Sequence, residues 1–506
     1  MAPPKKGIVM IDGDRTAGTR ERGIGGSWFF GIFRADPLGH DDESDSRLET
    51  TIAAVDWNAV ASVACRLLGV TDWHWGSQLS GGYNVVRFLH MDDINRTILV
   101  VRVPYRPEEG WTAENSKIFA GRLSSEVATM EYVRVHTSIP VPRIIHHSIE
   151  VDSGGVGSPY IIMTKVDGVA LCSIWDDMED SKREIVLRQV VDILLELASQ
   201  RFDKIGMLFQ QDSPTDPKSA WYIMPYIGST TPGPGDTTVQ ASLYKTFTSV
   251  IDYWLAYANI KLKTIHDTRF GHFNKIYEYG MTWCLRSLIP ALYDPSLDTA
   301  GFPLCPGDFH SQNIMIVDAD TSPRISAVID WEFSCTHGTS SFSQYPLFIV
   351  DHPQWEDDHP LRQRNIRDQA TFISLMREAE RKKDPTGDLP LSRAFASCQG
   401  VYLFEQSIQF PIMASELYPQ LFAHIYGEDK AFSTEYYWAL IEQGILKKEA
   451  QQFKEETEVW NEVLNTLGSE LVSSNMSRTE FRIVVQNHLD RFPKGGLVKD
   501  WLSATH

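Results

Sequence analysis

The sequence predicts an α+β fold with two lobes, a small strand-rich N-lobe and a larger, mainly helical C-lobe. At 506 residues the chain exceeds the usual size of one compact core. Short apolar runs separated by turn residues begin near residue 78, whereas helical spacing of apolar residues dominates after residue 167. The predicted parts are a disordered segment 1–45, an N-lobe 46–166, a C-lobe 167–450 and a C-terminal helical extension 451–506.

The composition excludes several classes of partner. Lys and Arg number 47 against 66 Asp and Glu, so the formal charge is −19 and binding of nucleic acid is disfavoured. No apolar run reaches the roughly 18 residues that cross a bilayer, so we expect no membrane span. The six cysteines form no C-x-x-C pair, which fits a reducing compartment. We expect a cytoplasmic location, with a mitochondrial one left open by basic residues near the N-terminus.

The elements of the predicted N-lobe follow from local signals. Asp56 is a good N-cap for a first helix, and Gly69 ends it. The runs 84–89 and 97–103 flank a polar turn and predict a β-hairpin. A helix is predicted from about Ser124 to Val135, and 160–163 has the composition of a buried strand.

Polar residues cluster at two points of an otherwise apolar stretch, 304–317 and 324–332. The apolar runs 314–317 and 325–329 predict a hairpin. A turn centred between residues 321 and 322 would set Asn313 opposite Asp330, with Cβ atoms about 4.5–5.5 Å apart. Two such oxygen ligands suit Mg²⁺ on a phosphate-bearing substrate. Asp308, five residues earlier on a loop opened by a Pro-Gly pair, is then a free carboxylate.

These two motifs carry a family resemblance. The string Gly307-Asp308-Phe309-His310-Ser311-Gln312-Asn313, followed by Ile329-Asp330-Trp331-Glu332, resembles the aminoglycoside phosphotransferase and choline kinase-like family, and its divergent fungal branch in particular. The resemblance covers roughly residues 50–350 and implies a protein-kinase-like fold. It implies ATP and Mg²⁺ as cofactors, Asp308 as the catalytic carboxylate, and Asn313 and Asp330 as metal ligands.

The resemblance also assigns residues around the nucleotide. The loop that covers the phosphates comprises Ser80, Gly81, Gly82 and Asn84. The phosphate anchor is Arg102, and its partner glutamate is Glu126. The linker that contacts adenine includes Met163 and Lys165. Glu131 is a weaker candidate for the glutamate. Taken alone, without the resemblance, Gly81-Gly82 is interpreted as an ordinary hairpin turn. Two residues depart from the family: Arg102 replaces the usual lysine, and Pro306 replaces the usual His or Arg before the catalytic loop.

The leading function is an ATP- and Mg²⁺-dependent phosphotransferase that acts on a hydroxyl of a small molecule. The alternative, motivated by Arg102 and Pro306, is a nucleotide-binding pseudokinase or scaffold. A protein kinase is a third reading and a weak one, because no A-P-E element follows Asp330. Residues Trp355 to Asp358 are read as a surface loop or, less readily, as part of an acceptor pocket. The sequence indicates neither the acceptor nor the oligomeric state.

Overall fold

The computed structural model describes residues 41–211, 220–227, 245–267, 275–352, 355, 358–385, 387, 389–427, 430–469, 471–472 and 476–503. Most of the predicted disordered segment 1–45 lies outside these residues, as do 228–236, Glu356 and Asp357. Among the described residues no single helix is long and apolar enough to cross a membrane. One bent pair of helices, residues 46–54 and 57–68, passes that test by length and composition.

Two helices precede the sheet of the small lobe, α1 (Asp41–Ala54) and α2 (Trp57–Leu68). The predicted limits of α2 are confirmed: the Asp56 carboxylate accepts a hydrogen bond from the Ala59 N–H at 2.9 Å, and Gly69 closes the helix with φ +66°. Helix α1 was not predicted, and it begins inside the segment assigned to 1–45. Its sequence is polar, so the apolar period that marks a helix is weak.

The small lobe is a five-stranded antiparallel sheet with one long helix. Its elements in chain order are β1 (Trp73–Ser80), β2 (Asn84–Met91), β3 (Ile98–Pro104), α3 (Ala113–His136), β4 (Ile144–Ser148) and β5 (Tyr160–Thr164). The strand order is β1-β2-β3-β5-β4, so the predicted hairpin and the buried strand are confirmed. Helix α3 begins well before the predicted Ser124, because Thr112 caps it by accepting from the Asn115 N–H at 3.2 Å.

The large lobe is mainly helical, as predicted. Its strands are short: β6 (Val169–Ala170), β7 (Arg201–Phe202), β8 (Met207–Gln210), β9 (Trp221–Met224), β10 (Phe302–Cys305), β11 (Ile314–Val317), β12 (Arg324–Val328) and β13 (Cys335–Thr336). Its helices are α4 (Asp180–Ser199), α5 (Val250–Asp267), α6 (Lys275–Leu292), α7 (Thr339–Phe342), α8 (Arg362–Lys383), α9 (Pro390–Ala396), α10 (Gln399–Gln409), α11 (Pro411–Tyr426) and α12 (Lys430–Glu442).

The last three helices, α13 (Lys447–Leu467), α14 (Arg478–Asn487) and α15 (Leu497–Ser503), enclose an apolar cluster of their own. Phe481 and Val485 are fully buried in it. A buried ion pair between Glu456 of α13 and Lys275 of α6, 3.0 Å long, joins this extension to the large lobe.

The hairpin β11–β12 forms as predicted, but the predicted register is wrong. Ile314 pairs with Val328, and the Ile329 N–H donates to the Asn313 carbonyl at 2.9 Å. Asn313 therefore lies opposite Ile329 and not opposite Asp330. The turn is centred between residues 320 and 321, one residue earlier than predicted, because Val317 pairs with Arg324. A bulge between Met315 and Ile316 then shifts the pairing by one residue towards the predicted register.

One apolar cluster joins the two lobes beneath the hairpin. It contains Leu123 of α3, Met163 of β5, Val190 of α4, Ile314 of β11 and Trp331. Trp331 is almost fully buried, and its indole N–H donates to the Val328 carbonyl at 3.1 Å. The residues on either side of Trp331 are thereby fixed against the cleft between the lobes.

Candidate active site

The loop after β10 is pressed against the turn after β12. The Gly307 N–H donates to the Ser334 hydroxyl at 3.2 Å. A Cβ atom at position 307 would lie 2.4 Å from the Glu332 carbonyl oxygen, so only glycine allows this approach. The contact brings Asp308 and Asp330 to the same part of the cleft.

Asp308 is held by two side chains and remains partly open to solvent. His310 Nε2 lies 3.1 Å from its carboxylate, and the His310 Nδ1 accepts from the Gln312 N–H at 3.1 Å, so the proton of the neutral ring belongs on Nε2. The Asn313 side-chain amide donates to the Asp308 carbonyl at 3.0 Å and to its carboxylate at 3.1 Å. The Asp308 side chain is 20% exposed, which leaves it accessible to an acceptor hydroxyl.

Asn313 and Asp330 offer oxygen atoms of the kind that Mg²⁺ prefers. Because the Asn313 amide nitrogen is turned to Asp308, its oxygen is the atom left for a metal. The Asp330 side chain is 35% exposed. The described residues contain no group of three or more His, Cys, Asp or Glu side chains that could hold a metal. One carboxylate and one amide still fit Mg²⁺, which takes its remaining ligands from water and substrate phosphates.

Asp330 also sits in a demanding electrostatic position. Its φ is +59°, a left-handed conformation that is uncommon outside glycine and occurs at functional turns. Burial, with the negative charges of Glu332 and Asp308, raises the pKa of Asp330 against the opposing influence of Arg102. A divalent cation at this position would relieve the repulsion between these carboxylates.

Arg102 of β3 binds acidic residues of both lobes. Its guanidinium forms an ion pair with Glu126 of α3, and its Nη1 donates to Asp330 Oδ1 at 3.0 Å. Glu131, the weaker candidate, pairs instead with Arg134 along the exposed face of the helix. The arginine at the lysine position therefore has the predicted partner and an additional one on the turn after β12.

A second arginine, Arg122 of α3, forms a parallel bridge that sequence reasoning missed. It forms an ion pair with Glu332, and the Glu332 carboxylate also accepts from the Asn84 side chain at 3.0 Å. Burial would raise the pKa of Glu332, but Arg122 and Arg102 outweigh it and hold that pKa below its usual range. The available signal was helical spacing: Arg122 precedes Glu126 by four residues, on the same face of α3.

The glycine loop lies between β1 and β2 at the cleft. Ser80 ends β1, and the Gly81 N–H donates to the Asn84 carbonyl at 2.9 Å. That N–H is thus used inside the hairpin, as the ordinary-turn interpretation expects. A Cβ atom at Gly82 would meet nothing within 4 Å, so Gly82 is the open position of the loop. The Tyr83 ring packs edge-on against Phe333, 5.6 Å between centroids.

The predicted adenine linker comprises the end of β5, where Met163 pairs with Val100, and the residues that follow it. Met163 is buried, and the Lys165 N–H donates to the Ile98 carbonyl at 3.1 Å, which ties the linker to β3. The Lys165 ammonium lies 3.2 Å from the Val166 carbonyl. Trp355 stacks on His359 with ring centroids 4.2 Å apart.

No protein-family model matches the chain. It is 28% identical over 134 residues to Altered inheritance of mitochondria protein 9, mitochondrial, of Zygosaccharomyces rouxii, which is 24% of this chain and 20% of the relative. The protein of that name from Candida tropicalis is 30% identical over 26% of this chain and 21% of the relative. A Subtelomeric hrmA-associated cluster protein of Aspergillus fumigatus is 26% identical over 26% of this chain and 24% of the relative. The matches thus span about a fifth of the length of these fungal relatives.

Two solved structures are similar over most of their length. Aminoglycoside phosphotransferase APH(2'')-Ib, ADP-bound, has a TM-score of 0.39 and 12% identity over 72% of this chain and 97% of that chain. A putative fructosamine-3-kinase from Thermobifida fusca has a TM-score of 0.37 and 14% identity over 71% of this chain and 96% of that chain. Because both scores lie below 0.5, the fold assignment depends on the observed elements. By its five-stranded sheet, the helix α3 and the mainly helical second lobe, the chain has the two-lobed α+β fold that its sequence predicts, and over about a quarter of its length it is similar to the fungal proteins named above.

Proposed function

We propose that this chain is an ATP- and Mg²⁺-dependent phosphotransferase for a hydroxyl group of a small molecule. The observation that carries the proposal is the meeting of three groups in one cleft. Asp308 is oriented by His310 and Asn313, Asp330 lies on the adjacent turn, and Arg102 reaches that turn from its anchor on Glu126. This combination supplies a proton acceptor, a metal ligand and a cation for phosphate.

In this mechanism Asp308 accepts the proton of the acceptor hydroxyl while that oxygen bonds to the γ-phosphorus. The bond from phosphorus to the β–γ bridging oxygen breaks, and ADP leaves with its electron pair. His310 and Asn313 keep the Asp308 carboxylate in place by donating hydrogen bonds to it. Asn313 and Asp330 would hold Mg²⁺, which neutralises charge on the phosphoryl oxygens. Arg102 would contact the α- and β-phosphates in place of the usual lysine.

The acceptor binds, in this proposal, between the catalytic loop and the helices of the large lobe. We expect a small molecule there and no nucleic acid, given the charge of −19. We propose a cytoplasmic location. The mitochondrial names of two relatives make the mitochondrion the alternative, and fractionation of a tagged chain would decide between them.

The direct test is an ATP-consumption screen over amino alcohols, sugars, aminoglycosides and secondary metabolites. The Asp308→Asn variant is the control, because it removes the proton acceptor and leaves a side chain of the same shape. Consumption that one acceptor stimulates in the wild type and not in the variant supports the proposal. Equal consumption in both proteins would refute the role of Asp308.

The second candidate is a nucleotide-binding pseudokinase. One observation favours it: Arg102 Nη1 already lies 3.0 Å from Asp330, the carboxylate that a metal needs. A pseudokinase predicts Mg²⁺-dependent ATP binding without turnover. It also predicts that Asp308→Asn behaves like the wild type in cells, whereas the kinase predicts loss of function.

A further inference from the structure

We propose that Arg102 and Asp330 form a latch, and that a divalent cation binds Asp330 only after Arg102 has released it. The inference rests on the proposed function, because it assigns a regulatory contact to the same site. It goes further in one respect: it makes the arginine at the lysine position a competitor of the metal as well as a ligand for phosphate.

The guanidinium of Arg102 forms two ion pairs of unequal strength, each called an arm below. One arm reaches Glu126, whose side chain is only 3% exposed. The other reaches Asp330, whose side chain is about a third exposed. Water can replace part of the contact to a carboxylate that is partly open to solvent, whereas a buried carboxylate left without a cation is costly. The arm to Asp330 is therefore the one that opens, and Glu126 retains the guanidinium.

Arginine suits this arrangement better than the lysine it replaces. A guanidinium presents several N–H donors in a rigid fork, so it can bind two carboxylates at once. A lysine ammonium is a compact point charge on a flexible stem. Arg102→Lys therefore keeps the charge of the site and loses the double contact. The variant thus distinguishes the effect of the contact to Asp330 from the effect of a nearby positive charge.

The second bridge keeps the two lobes joined while the latch opens. Arg122 and Glu332 are 4% and 11% exposed, and Asn84 donates a further hydrogen bond to Glu332. Glu332 follows Asp330 by two residues on the same turn. Release of Asp330 therefore needs movement of one side chain only. A cavity of about 20 Å³, lined by Arg102, Arg122 and Glu126 among others, gives the guanidinium room of about one water molecule.

The latch couples metal binding to nucleotide binding. A metal alone has to displace Arg102 and leaves its guanidinium with one carboxylate. A metal that arrives with ATP brings phosphates that compensate Arg102 in the same step. We therefore expect weak metal binding by the nucleotide-free protein and much tighter binding when nucleotide is present.

The test is a titration of the nucleotide-free protein with Mn²⁺, in which the electron paramagnetic resonance signal of the free ion reports binding without any turnover. Arg102→Lys should bind Mn²⁺ about tenfold more tightly than the wild type, the worth of one charge-assisted hydrogen bond. Arg122→Lys is the matched control, since it makes the same exchange on the neighbouring bridge, and it should bind like the wild type. Equal affinities for the wild type and Arg102→Lys would overturn the latch, as would equal gains in both variants.

Further variants make the result decisive. Asp330→Asn should abolish the site that tightens in Arg102→Lys; a gain that survives this substitution contradicts the latch. If Arg102→Lys does not fold, the double variant Arg102→Met/Glu126→Gln removes the cation together with its buried partner, and it should also tighten Mn²⁺. If Arg102→Lys binds Mn²⁺ with the affinity of the wild type, and the wild type shows acceptor-dependent turnover, the latch is refuted and the kinase is not. Tighter Mn²⁺ binding by Arg102→Lys, together with no turnover by the wild type with any acceptor, supports the latch and refutes the kinase.

Discussion

Two arginines cross from the small lobe to the same turn of the large lobe, and their bridges differ. Arg122 binds Glu332, and both side chains are buried, with Asn84 as a third member. Arg102 binds Asp330, which is partly exposed, and shares its guanidinium with the buried Glu126. The pKa of Glu332 is lowered whereas that of Asp330 is raised.

The difference separates a structural contact from an exchangeable one. A carboxylate whose pKa is held low by its cations gains from staying ionised and paired. A carboxylate whose pKa is raised by burial and by neighbouring negative charges gains from a new cation instead. In the proposed site Arg122 therefore holds the turn in place, and Arg102 pairs with the carboxylate that would bind the metal.

The largest expected effect comes from breaking the buried bridge. Glu332→Gln leaves Arg122 buried without a counter-charge, so we expect a loss of about 3–5 kcal/mol in the free energy of unfolding. The matched exchange Asp330→Asn, at the exposed bridge, should cost less than about 1 kcal/mol. Denaturant unfolding of both variants measures the contrast. Equal losses would show that exposure does not distinguish the bridges.

Among the described residues, the buried Glu405 forms no ion pair with a Lys or Arg side chain, in contrast to Glu332. Glu405 of α10 accepts from the neutral groups of Tyr293, Ser341 and Gln344 at 2.8, 2.5 and 2.6 Å. Burial raises its pKa from 4.5 to about 7, even though these hydrogen bonds oppose the rise.

The linkage for Glu405 has a definite sign. Because the folded pKa lies above the unfolded one, its contribution to stability is complete below pH 4.5 and is lost as the pH rises through 7. The loss approaches about 3 kcal/mol. Glu405→Gln mimics the protonated form, so thermal unfolding of this variant between pH 5 and 8 should change less than that of the wild type. Parallel profiles for the two proteins would contradict the assignment.

At the bridge between Arg102 and Asp330, we expect substitution to change the stabilisation by bound ligand more than the stability of the free protein. At 100 times its Kd, Mg·ATP should stabilise the wild type by about 2.7 kcal/mol. Asp330→Ala should lose most of this gain, because the metal loses its only carboxylate ligand in the proposed site. A thermal shift with and without Mg·ATP measures the gain. An unchanged shift in the variant would rule out the metal role of Asp330.

The smallest effect concerns the third member of the buried bridge. Asn84→Ala removes one hydrogen bond to the ionised Glu332 and should cost about 1.5 kcal/mol. The double variant with Glu332→Gln should cost less than the sum of the two single losses, since both act on one network. Additive losses would place Asn84 outside the network.

The sequence predicted the elements that carry strong local signals. Asp56 and Gly69 limit α2, and the apolar runs give the hairpins β2–β3 and β11–β12. The buried strand β5 and the helical large lobe follow from composition and period. These predictions succeeded because capping, turn chemistry and apolar periodicity act over a few residues.

Other features depend on contacts that are distant in the chain. The turn of the β11–β12 hairpin is centred one residue earlier than predicted, because Val317 pairs with Arg324, and the bulge after Met315 corrects only half of that shift, so Asn313 lies opposite Ile329. The start of α3 escaped notice because its first turns bury Asn115 and Arg122 in place of an apolar stripe. The bridge from Arg122 to Glu332 joins residues 210 positions apart, which no local pattern reveals.

The proposed function depends most on Asp308 as the proton acceptor of a phosphoryl transfer. The most direct test compares the wild type with Asp308→Asn in ATP consumption with the acceptor that the screen identifies, beside the stabilisation by Mg·ATP. We predict that turnover falls at least about 100-fold while stabilisation by Mg·ATP is unchanged. Equal turnover in the two proteins, or ATP binding without consumption in both, would contradict the account.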